Sequence, residues 1–392
     1  MRLLLSLLSL TLFLPVSRIE AATDPTDIDI TKKGAVVDKN LIPVAIEGFT
    51  GETDSVIKSD LWIQGFEFVS QDKAMFLIKG QNSGRLEGRL IDLSKNKQIL
   101  GKAYNGASAR KLAHAFTDEI VKTITGTNGI AQTKICFKVS TGRTSELYIS
   151  DFDGHNPVKV TRDNSIVAAP TWIPGQFSLI YTSYMKENPD IFSHELSTGV
   201  RKTVAAYAGL NTSAAVSPDG ARVAMILSKG GSPDVYVADI DGGNIKRLTT
   251  TRETESSPCW SADGLSILFT SRVSGRAQLY TIPALGGKMR RIGTIGASST
   301  VTEPDWSPDG STIIFTSQYR SGFQLCTVPA SGGQVTTVAE GEDPSWAPNS
   351  RTVVYTRRVN GSRVVSLLDV PSKRTKDIRP VQGSCSQPSW SR

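Results

Sequence analysis

The sequence predicts a mostly-β protein, a six-bladed β-propeller preceded by a small α/β domain. Three observations lead to this prediction. A unit of the Trp-Ser-Pro-Asp-Gly type recurs every 40 to 46 residues, a last copy of the unit ends the chain, and the N-terminal third contains no copy. A period of about 40–45 residues is the length of one propeller blade.

The repeated unit is clearest at residues 304–310, which read Pro-Asp-Trp-Ser-Pro-Asp-Gly and precede the apolar run Ile313–Phe315. Ser-Pro-Asp-Gly is typical of a tight turn, because proline presets φ and glycine accepts a positive φ. The apolar runs on either side favour strands. We interpret the central large residue of each unit as core packing between blades. This anchor position is occupied by Trp172, Val216, Trp260, Trp306, Trp346 and Trp390.

One blade is predicted to be split between the two ends of the propeller, which spans residues 130–392. Residues 134–139 have the pattern of a second strand, but no first strand precedes them. Residues 388–391 have the pattern of a first strand, but the chain stops soon afterwards. We therefore expect the C-terminal strand to complete the blade that begins near residue 134, since this closure removes free sheet edges.

Residues 1–22 are predicted to be a signal peptide. They combine Arg2, an apolar run at residues 3–16, and the small residues Ala21 and Ala22. The run is too short to span a bilayer. We therefore expect an exported protein that does not span the membrane.

Residues 23–129 are predicted to hold a polar arm followed by the α/β domain. Within the arm, Asp27, Ile28, Asp29 and Ile30 alternate between acidic and apolar side chains. Such alternation fits a short edge strand. A flexible arm fits equally well, since chain termini are often loose.

The α/β domain is predicted from strand-like runs and two helix patterns after residue 41. Thr53 or Asp54 can cap the first helix, which Gly65 would stop. Ser108 can cap the second helix, which has an apolar residue at every fourth position and would end at Gly126.

Residue spacing indicates no catalytic or metal-binding constellation, so we expect no enzyme activity, no cofactor and no metal. The G-x-S-x-G motif of α/β-hydrolases is absent. His114, His155 and His194 each lack a second ligand at a suitable spacing. We interpret them as structural or surface histidines.

The four cysteines show no C-x-x-C spacing. We interpret Cys136, Cys259 and Cys326 as small buried residues of strands. Cys385 borders the same split blade as Cys136, so a disulfide between these two remains open.

The formal net charge of +7 does not form an obvious patch. Its densest run, residues 373–376, falls at a predicted blade turn. We interpret this run as a solvated turn and expect no binding of nucleic acid.

The order of these segments and the sequence of the linker resemble the TolB family, a periplasmic component of the Tol-Pal envelope system. Thr-Gly-Thr-Asn-Gly-Ile at residues 125–130 and Thr-Lys-Ile at residues 133–135 lie between an α/β domain and a W-S-P-D-G propeller. Residues 41–49 resemble the family's first strand, and residues 388–391 resemble its closing strand.

The resemblance implies a non-enzymatic adaptor with a cleaved signal peptide, peripheral to the envelope and monomeric. It implies binding to the peptidoglycan-associated lipoprotein Pal through one end of the propeller, and to TolA through the N-terminal part. It also implies a role in outer-membrane integrity and in constriction during cell division.

Candidate residues for the Pal face come from the predicted connections between the fourth strand of one blade and the first strand of the next. These connections open at one end of the propeller, where loops on a rigid scaffold are free to bind. The residues are Leu210, Asn211, Thr212, Ser213, Glu255, Ser256, Thr302, Glu303, Glu342 and Asp343. The candidates for contact with TolA are Asp27, Ile28, Asp29 and Ile30. The alternative function is an exported propeller enzyme or peptidase-accessory protein with a site in the central channel.

Overall fold

The computed structural model describes residues 41–392, except residues 107, 321, 379 and 380. In this part the chain forms an N-terminal α/β region and a six-bladed β-propeller, which confirms the predicted fold class. The predicted signal peptide and arm lie outside the described residues.

The α/β region is a five-stranded sheet with two helices. Its strands are β1 (Ile42–Glu47), β2 (Phe66–Phe68), β3 (Phe76–Gln81), β4 (Leu86–Asp92) and β5 (Lys97–Tyr104). Its helices are α1 (Gly51–Ile63) and α2 (Ala109–Thr125). The strand order is β2-β1-β3-β4-β5. β1 runs parallel to β2 and β3, whereas β3, β4 and β5 pair antiparallel.

The two helices begin and end for different local reasons. α2 follows the prediction: Ser108 Oγ accepts a hydrogen bond from Lys111 N, and Gly126 ends the helix at φ 75°. The predicted start of α1 at Thr53 or Asp54 is wrong. α1 begins at Gly51 after the extended residue Thr50, which makes no side-chain cap.

The core of the α/β region lies between the helices and the sheet. Phe116 and Ile120 of α2 are fully buried and pack with Ile57 and Leu61 of α1. A Cβ atom on Gly88 of β4 would overlap the ring of Phe116. Glycine at this position therefore lets α2 lie close against the sheet.

Each propeller blade is a four-stranded antiparallel sheet, numbered here by the chain order of its inner strand. The inner strands are Val167–Trp172, Asn211–Val216, Glu255–Trp260, Val301–Trp306, Glu342–Trp346 and Ser384–Trp390. The second strands are Ser178–Lys186, Arg222–Leu227, Ser266–Ser271, Thr312–Tyr319, Thr352–Val359 and, in the sixth blade, Lys134–Thr141. The third strands are Asn188–Glu195, Asp234–Asp239, Gln278–Pro283, Gly322–Pro329, Ser362–Asp369 and Thr144–Asp151. The outer strands are Arg201–Ala205, Lys246–Arg247, Arg290–Arg291, Thr336–Glu340, Arg374–Asp377 and Val158–Lys159. A short parallel pair, Thr294–Ile295 with Gly333–Gln334, joins the third and fourth blades.

The C-terminal strand closes the ring. Ser384–Trp390 pairs antiparallel with Lys134–Thr141 in the sixth blade, and it also contacts the inner strand of the first blade. Trp390 is 2% exposed, and its Nε1 donates to Thr133 Oγ1 at 2.7 Å. Among the other anchor residues, Trp260 packs against Ile226 of the preceding blade, as expected for packing between blades.

The expectation of a solvated turn at residues 373–376 is wrong for two of its basic side chains, because they pack on the α/β region. Arg374 Nη1 donates to the carbonyl of Phe66 at 2.7 Å, and its guanidinium lies over the ring of Trp62. Lys376 Nζ contacts Ser59 Oγ, and burial lowers its pKa. Lys373, in contrast, is exposed and contacts only the propeller carbonyl of Thr337 among the hydrogen bonds described. The run therefore fixes the α/β region to the propeller.

Candidate functional site

The inner strands share one backbone irregularity around the central channel. Every pairing of an inner strand with its second strand shifts register once, which marks a β-bulge. At the bulge, one non-glycine residue has a φ between 49° and 56°. These residues line one channel cavity of about 260 Å³. They are Ala169, Ser213, Ser257, Glu303, Asp343 and Gln387.

Such left-handed backbone is uncommon for residues other than glycine. When it persists, it is often found at functional sites, because the surrounding structure must hold it in place. We call this set of six residues the channel ring. It is the strongest local indication of a functional surface in the propeller.

Side chains of the channel ring bind the backbone of the next blade. Glu303 Oε2 accepts from Asp343 N, Asp343 Oδ2 accepts from Gln387 N, and Gln387 Oε1 accepts from Ala169 N, each at 3.0 Å. Three polar side chains thus connect four consecutive inner strands. The short side chains of Ser213 and Ser257 leave the other half of the ring without such connections among the described hydrogen bonds.

Two carboxylates of the ring lie side by side. Glu303 Oε2 also accepts from Thr316 Oγ1 at 2.7 Å, and Asp343 Oδ2 accepts from Thr356 Oγ1 at 3.2 Å. Burial in the channel and the neighbouring Asp343 raise the pKa of Glu303 to about 7. Glu303 therefore changes its charge near neutral pH.

In the sixth blade, Lys138 occupies the second-strand position that Thr316 has in the fourth blade and Thr356 in the fifth. Lys138 lies on the second strand opposite Ser386, as Thr316 lies opposite Thr302. Burial lowers the pKa of Lys138, although the nearby Asp343 opposes this effect. Acidic and basic groups thus meet on one side of the channel mouth.

The structure corrects the expected location of the Pal-face candidates. Apart from Leu210, all of them lie in the inner strands and not in connecting loops. Thr212, Ser213, Ser256, Thr302, Glu303, Glu342 and Asp343 are half-buried at the channel, as is Leu210 beside it. Each inner strand begins one to three residues before its bulge residue, so these positions belong to the sheet.

Two of the candidates, Asn211 and Glu255, are fully buried and hold the fold together. Asn211 Oδ1 accepts from Tyr207 N at 3.0 Å, while Asn211 Nδ2 donates to the carbonyls of Tyr207 and Pro189. Glu255 Oε1 accepts from Ser271 Oγ and from Thr251 Oγ1, each at 2.8 Å. Burial raises the pKa of Glu255 to about 7. Neither side chain is available for direct contact with a partner.

Sequence reasoning missed three residues of the channel ring, Ala169, Ser257 and Gln387, and the nearby basic residues Lys138 and Arg363. Arg363 forms an ion pair with Glu342 at the channel mouth, Nε to Oε1 2.8 Å. A signal for the ring was present, since a proline follows the bulge residue in every blade except the second. A proline inside a strand is typical of a bulge or an edge.

The other mouth of the channel, on the side of the Ser-Pro-Asp-Gly turns, holds an apolar cavity of about 250 Å³. Trp172, Trp260, Trp306 and Trp390 contribute to its wall. Asp305 accepts from Trp346 N at 2.7 Å and contacts the guanidinium of Arg392. The anchor residues therefore serve both the packing between blades and the lining of this mouth.

The structure places two of the histidines, His114 and His155, beside Asp153, a neighbour that residue spacing in the sequence does not indicate. His114 is buried between Asp60 of α1 and Asp153 of the sixth blade, and His155 Nδ1 lies 3.1 Å from Asp153 Oδ1. Burial raises the pKa of Asp60, although His114 opposes this effect. The sequence could not show this cluster, because its members are far apart in the chain.

The remaining predictions concern residues away from the channel. All four cysteines are buried and free, so the disulfide between Cys136 and Cys385 is not formed. No helix of the described residues is long and apolar enough to cross a membrane. Asp27, Ile28, Asp29 and Ile30 lie outside the described residues.

The fold and the channel define a six-bladed propeller with a split sixth blade and an α/β region on its N-terminal side. The family model of the TolB beta propeller domain matches residues 121–392. The chain belongs to this TolB propeller family.

Among similar proteins, the Tol-Pal system protein TolB of Desulfosudis oleivorans is 38% identical over 155 residues, or 39% of this chain and 35% of that protein. TolB of Bordetella pertussis is 32% identical over 187 residues, or 47% of this chain and 41% of that protein. The alignments thus span well under half of these relatives. The crystal structure of TolB from Acinetobacter baumannii matches with a TM-score of 0.80 and 22% identity, over 90% of this chain and 96% of that one. This last likeness supports the fold.

Proposed function

We propose that this protein is a non-enzymatic adaptor of the Tol-Pal system that links the lipoprotein Pal to TolA. The observation that carries the proposal is the match of residues 121–392 to the TolB propeller family. The proposed role is the maintenance of outer-membrane integrity and of constriction during cell division.

The proposal includes a location in the periplasm. Residues 1–22 have the pattern of a cleaved signal peptide, and the mature chain would comprise the arm and α/β domain at residues 23–129 and the propeller at residues 130–392. It would act as a monomer, peripheral to the envelope, with protein partners and no nucleic acid.

The channel mouth that contains the channel ring is the proposed contact surface for Pal. Hydrogen bonds between blades hold Glu303, Asp343, Gln387 and Ala169, so this half of the ring is ordered before a partner arrives, and a preorganised surface loses less entropy on binding. Lys138, Arg363, Glu342 and Asp343 supply charges of both signs, which favours a partner with a complementary pattern. The carboxylates of Glu303 and Asp343 already bind backbone N–H groups, which supports a structural role over a catalytic one.

The proposed contact with TolA is the arm, with Asp27, Ile28, Asp29 and Ile30. Alternating apolar residues can add a strand to a sheet edge of a partner. If docking of the arm differs between the free and Pal-bound states, each partner changes the affinity for the other by the same factor.

The test is a calorimetric titration of the mature protein with the soluble domain of Pal, and separately with the soluble C-terminal domain of TolA. Arg363→Glu reverses a half-buried charge beside Glu342 and should weaken Pal binding at least tenfold, since it leaves Glu342 facing a like charge. Deletion of residues 23–33 should abolish TolA binding with the propeller still folded.

Arg290→Glu is the matched control for the charge change, because Arg290 is exposed on the outer strand of the third blade. It should leave both affinities unchanged. Equal Pal affinity for the Arg363 and Arg290 variants would remove this mouth from the proposal, and absence of binding to both partners would overturn the adaptor function.

A further inference from the structure

Three polar side chains from distant parts of the chain meet between the α/β region and the propeller. Asp60 comes from α1, His114 from α2, and Asp153 from the turn after the third strand of the sixth blade. Their exposed fractions are 0%, 5% and 3%. One nitrogen or carboxylate oxygen from each lies within 4.8 Å of the others.

His114 is oriented as metal-ligating histidines are. Its Nδ1 lies 2.6 Å from Asp60 Oδ2, so Asp60 can accept the Nδ1–H and fix the ring. This carboxylate–histidine arrangement is common behind metal ligands, because it holds the tautomer that leaves Nε2 with a free lone pair.

The polar atoms of His114 and Asp60 that do not take part in this hydrogen bond are buried. His114 Nε2 lies 3.8 Å from Asp153 Oδ2 and makes no hydrogen bond within the described part of the chain. Asp60 Oδ1 is likewise buried without a hydrogen-bond partner there. Leaving buried polar atoms unpaired is costly, so these atoms point to a ligand between them.

We propose that this cluster is a binding site for a divalent transition-metal ion, with zinc as the best match to an imidazole nitrogen and a carboxylate oxygen. His114 Nε2 and an oxygen of Asp153 are the protein ligands, and water completes the coordination. Asp60 positions His114, and its Oδ1 can accept a hydrogen bond from a metal-bound water. His155 Nδ1, 3.1 Å from Asp153 Oδ1, positions the second carboxylate.

One cation already lies at the site and must compete with the metal. The guanidinium of Arg110 contacts Asp153 Oδ2, while its Nη1 lies 3.5 Å from Glu52 Oε1. Glu52 is exposed and offers Arg110 another partner when a metal takes Asp153. Lys376 lies on the other side, close enough to Asp60 to oppose the rise of its pKa. Removal of the Arg110 charge should therefore strengthen metal binding.

A metal ion bound at this site would stabilise the contact between the α/β region and the propeller. His114 belongs to the α/β region and Asp153 to the propeller, so both ligands are in place only when the two are docked. An ion that binds only this state stabilises it by mass action. The site is independent of the proposed partners, and its test does not depend on them.

The experiment titrates the mature protein, freed of metals with a chelator, with Zn²⁺ in a calorimeter. We expect one ion per chain and a higher melting temperature with zinc. His114→Gln and Asp153→Asn should each abolish this binding, and Asp60→Asn should weaken it by about 10- to 100-fold, as for other residues that position a ligand. Arg110→Gln should tighten it.

His194→Gln is the matched control, because His194 is also 5% exposed but lies in the first blade, outside the cluster. It should bind zinc as the wild-type protein does. The absorption spectrum of the wild-type protein with Co²⁺ needs no variant, and it should show the d–d bands of a protein-bound ion. Absence of both these bands and of stoichiometric zinc binding overturns the proposal. Zinc binding that persists in folded His114→Gln and Asp153→Asn also overturns it, as does weaker binding after Arg110→Gln.

Discussion

At the scale of single residues, the channel ring shows how one side chain can serve two blades. Glu303 occupies a left-handed position, and its carboxylate accepts the backbone N–H of the equivalent residue in the next blade. The same geometry brings the carboxylate of Asp343 beside it in a partly desolvated channel. Ionisation of Glu303 is therefore opposed both by the loss of water and by a like charge.

The melting temperature of Glu303→Gln relative to that of the wild type should rise as the pH increases. The pKa of Glu303 is raised to about 7 in the folded protein from an ordinary value of 4.5, so its contribution to stability is fully present below about pH 4.5 and is lost as the pH rises through 7. The amide keeps both accepted hydrogen bonds and never ionises. From pH 5 to pH 8, the difference in melting temperature between the variant and the wild type should increase by a few degrees. This corresponds to about 1–3 kcal/mol in the free energy of unfolding.

Glu340→Gln is the control for this pH series, because Glu340 is an exposed carboxylate of the same blade. Its melting difference from the wild type should be the same at both pH values. If the Glu303 variant behaves in the same way, the proposed pKa of Glu303 is wrong.

Single residues also show what the sequence does not reveal. Asparagine is common in loops, yet the side-chain amide of Asn211 is buried and hydrogen-bonds to backbone groups of Tyr207 and Pro189. Asp60, His114 and Asp153 are far apart in the sequence and form no motif, because two helices and a blade turn bring them together. Burial and long-range proximity depend on tertiary packing, which local patterns cannot report.

At the scale of elements, the sequence is far more informative. The Ser-Pro-Asp-Gly turn predicts the boundary between inner and second strands, since its residues are required by the turn geometry. Ser108 and Gly126 predict both ends of α2. The predicted cap of α1, Thr53 or Asp54, lies three or four residues too late, because the helix starts at Gly51 after Thr50 and has no side-chain cap. The bulge in each inner strand was not predicted, although a proline follows the bulge residue in five of the six blades.

Removal of residues 386–392 should destabilise the whole propeller. The deletion takes most of the inner strand of the sixth blade and the buried ring of Trp390, and it removes the carbonyl of Ser389, which accepts from Trp172 Nε1 at 3.1 Å. Loss of a buried aromatic side chain alone costs about 3–5 kcal/mol. We expect a melting temperature lower by at least ten degrees, or no cooperative transition, in differential scanning calorimetry.

Arg392→Ala is the control for this truncation, because it removes the terminal side chain and keeps the strand. It should lose the contact with Asp305 and shift the melting temperature by only a degree or two. A truncated protein that melts like the Arg392 variant would show that the closing strand is dispensable.

At the scale of the whole molecule, the contact between the α/β region and the propeller combines an apolar cluster around Ile63 with several polar contacts. Arg374 and Lys376 reach from the fifth blade to Phe66 and Ser59, and Arg110 reaches from α2 to Asp153 of the sixth blade. Charged groups placed in this way gain hydrogen bonds in a partly buried setting, and their loss leaves partners unpaired. The sequence showed the basic run but not the surface that it meets, since that surface exists only in the assembled fold.

Arg374→Ala should therefore loosen the α/β region from the propeller. The substitution removes a charged hydrogen bond to the carbonyl of Phe66 and the stacking of the guanidinium on Trp62, together about 2–3 kcal/mol. We expect faster hydrogen exchange in β2 and in the outer strand Arg374–Asp377, and a broader or divided calorimetric transition. Lys373→Ala is the control, because the adjacent Lys373 contacts the propeller carbonyl of Thr337. Equal exchange rates in the two variants would mean that the basic run does not hold the two parts together.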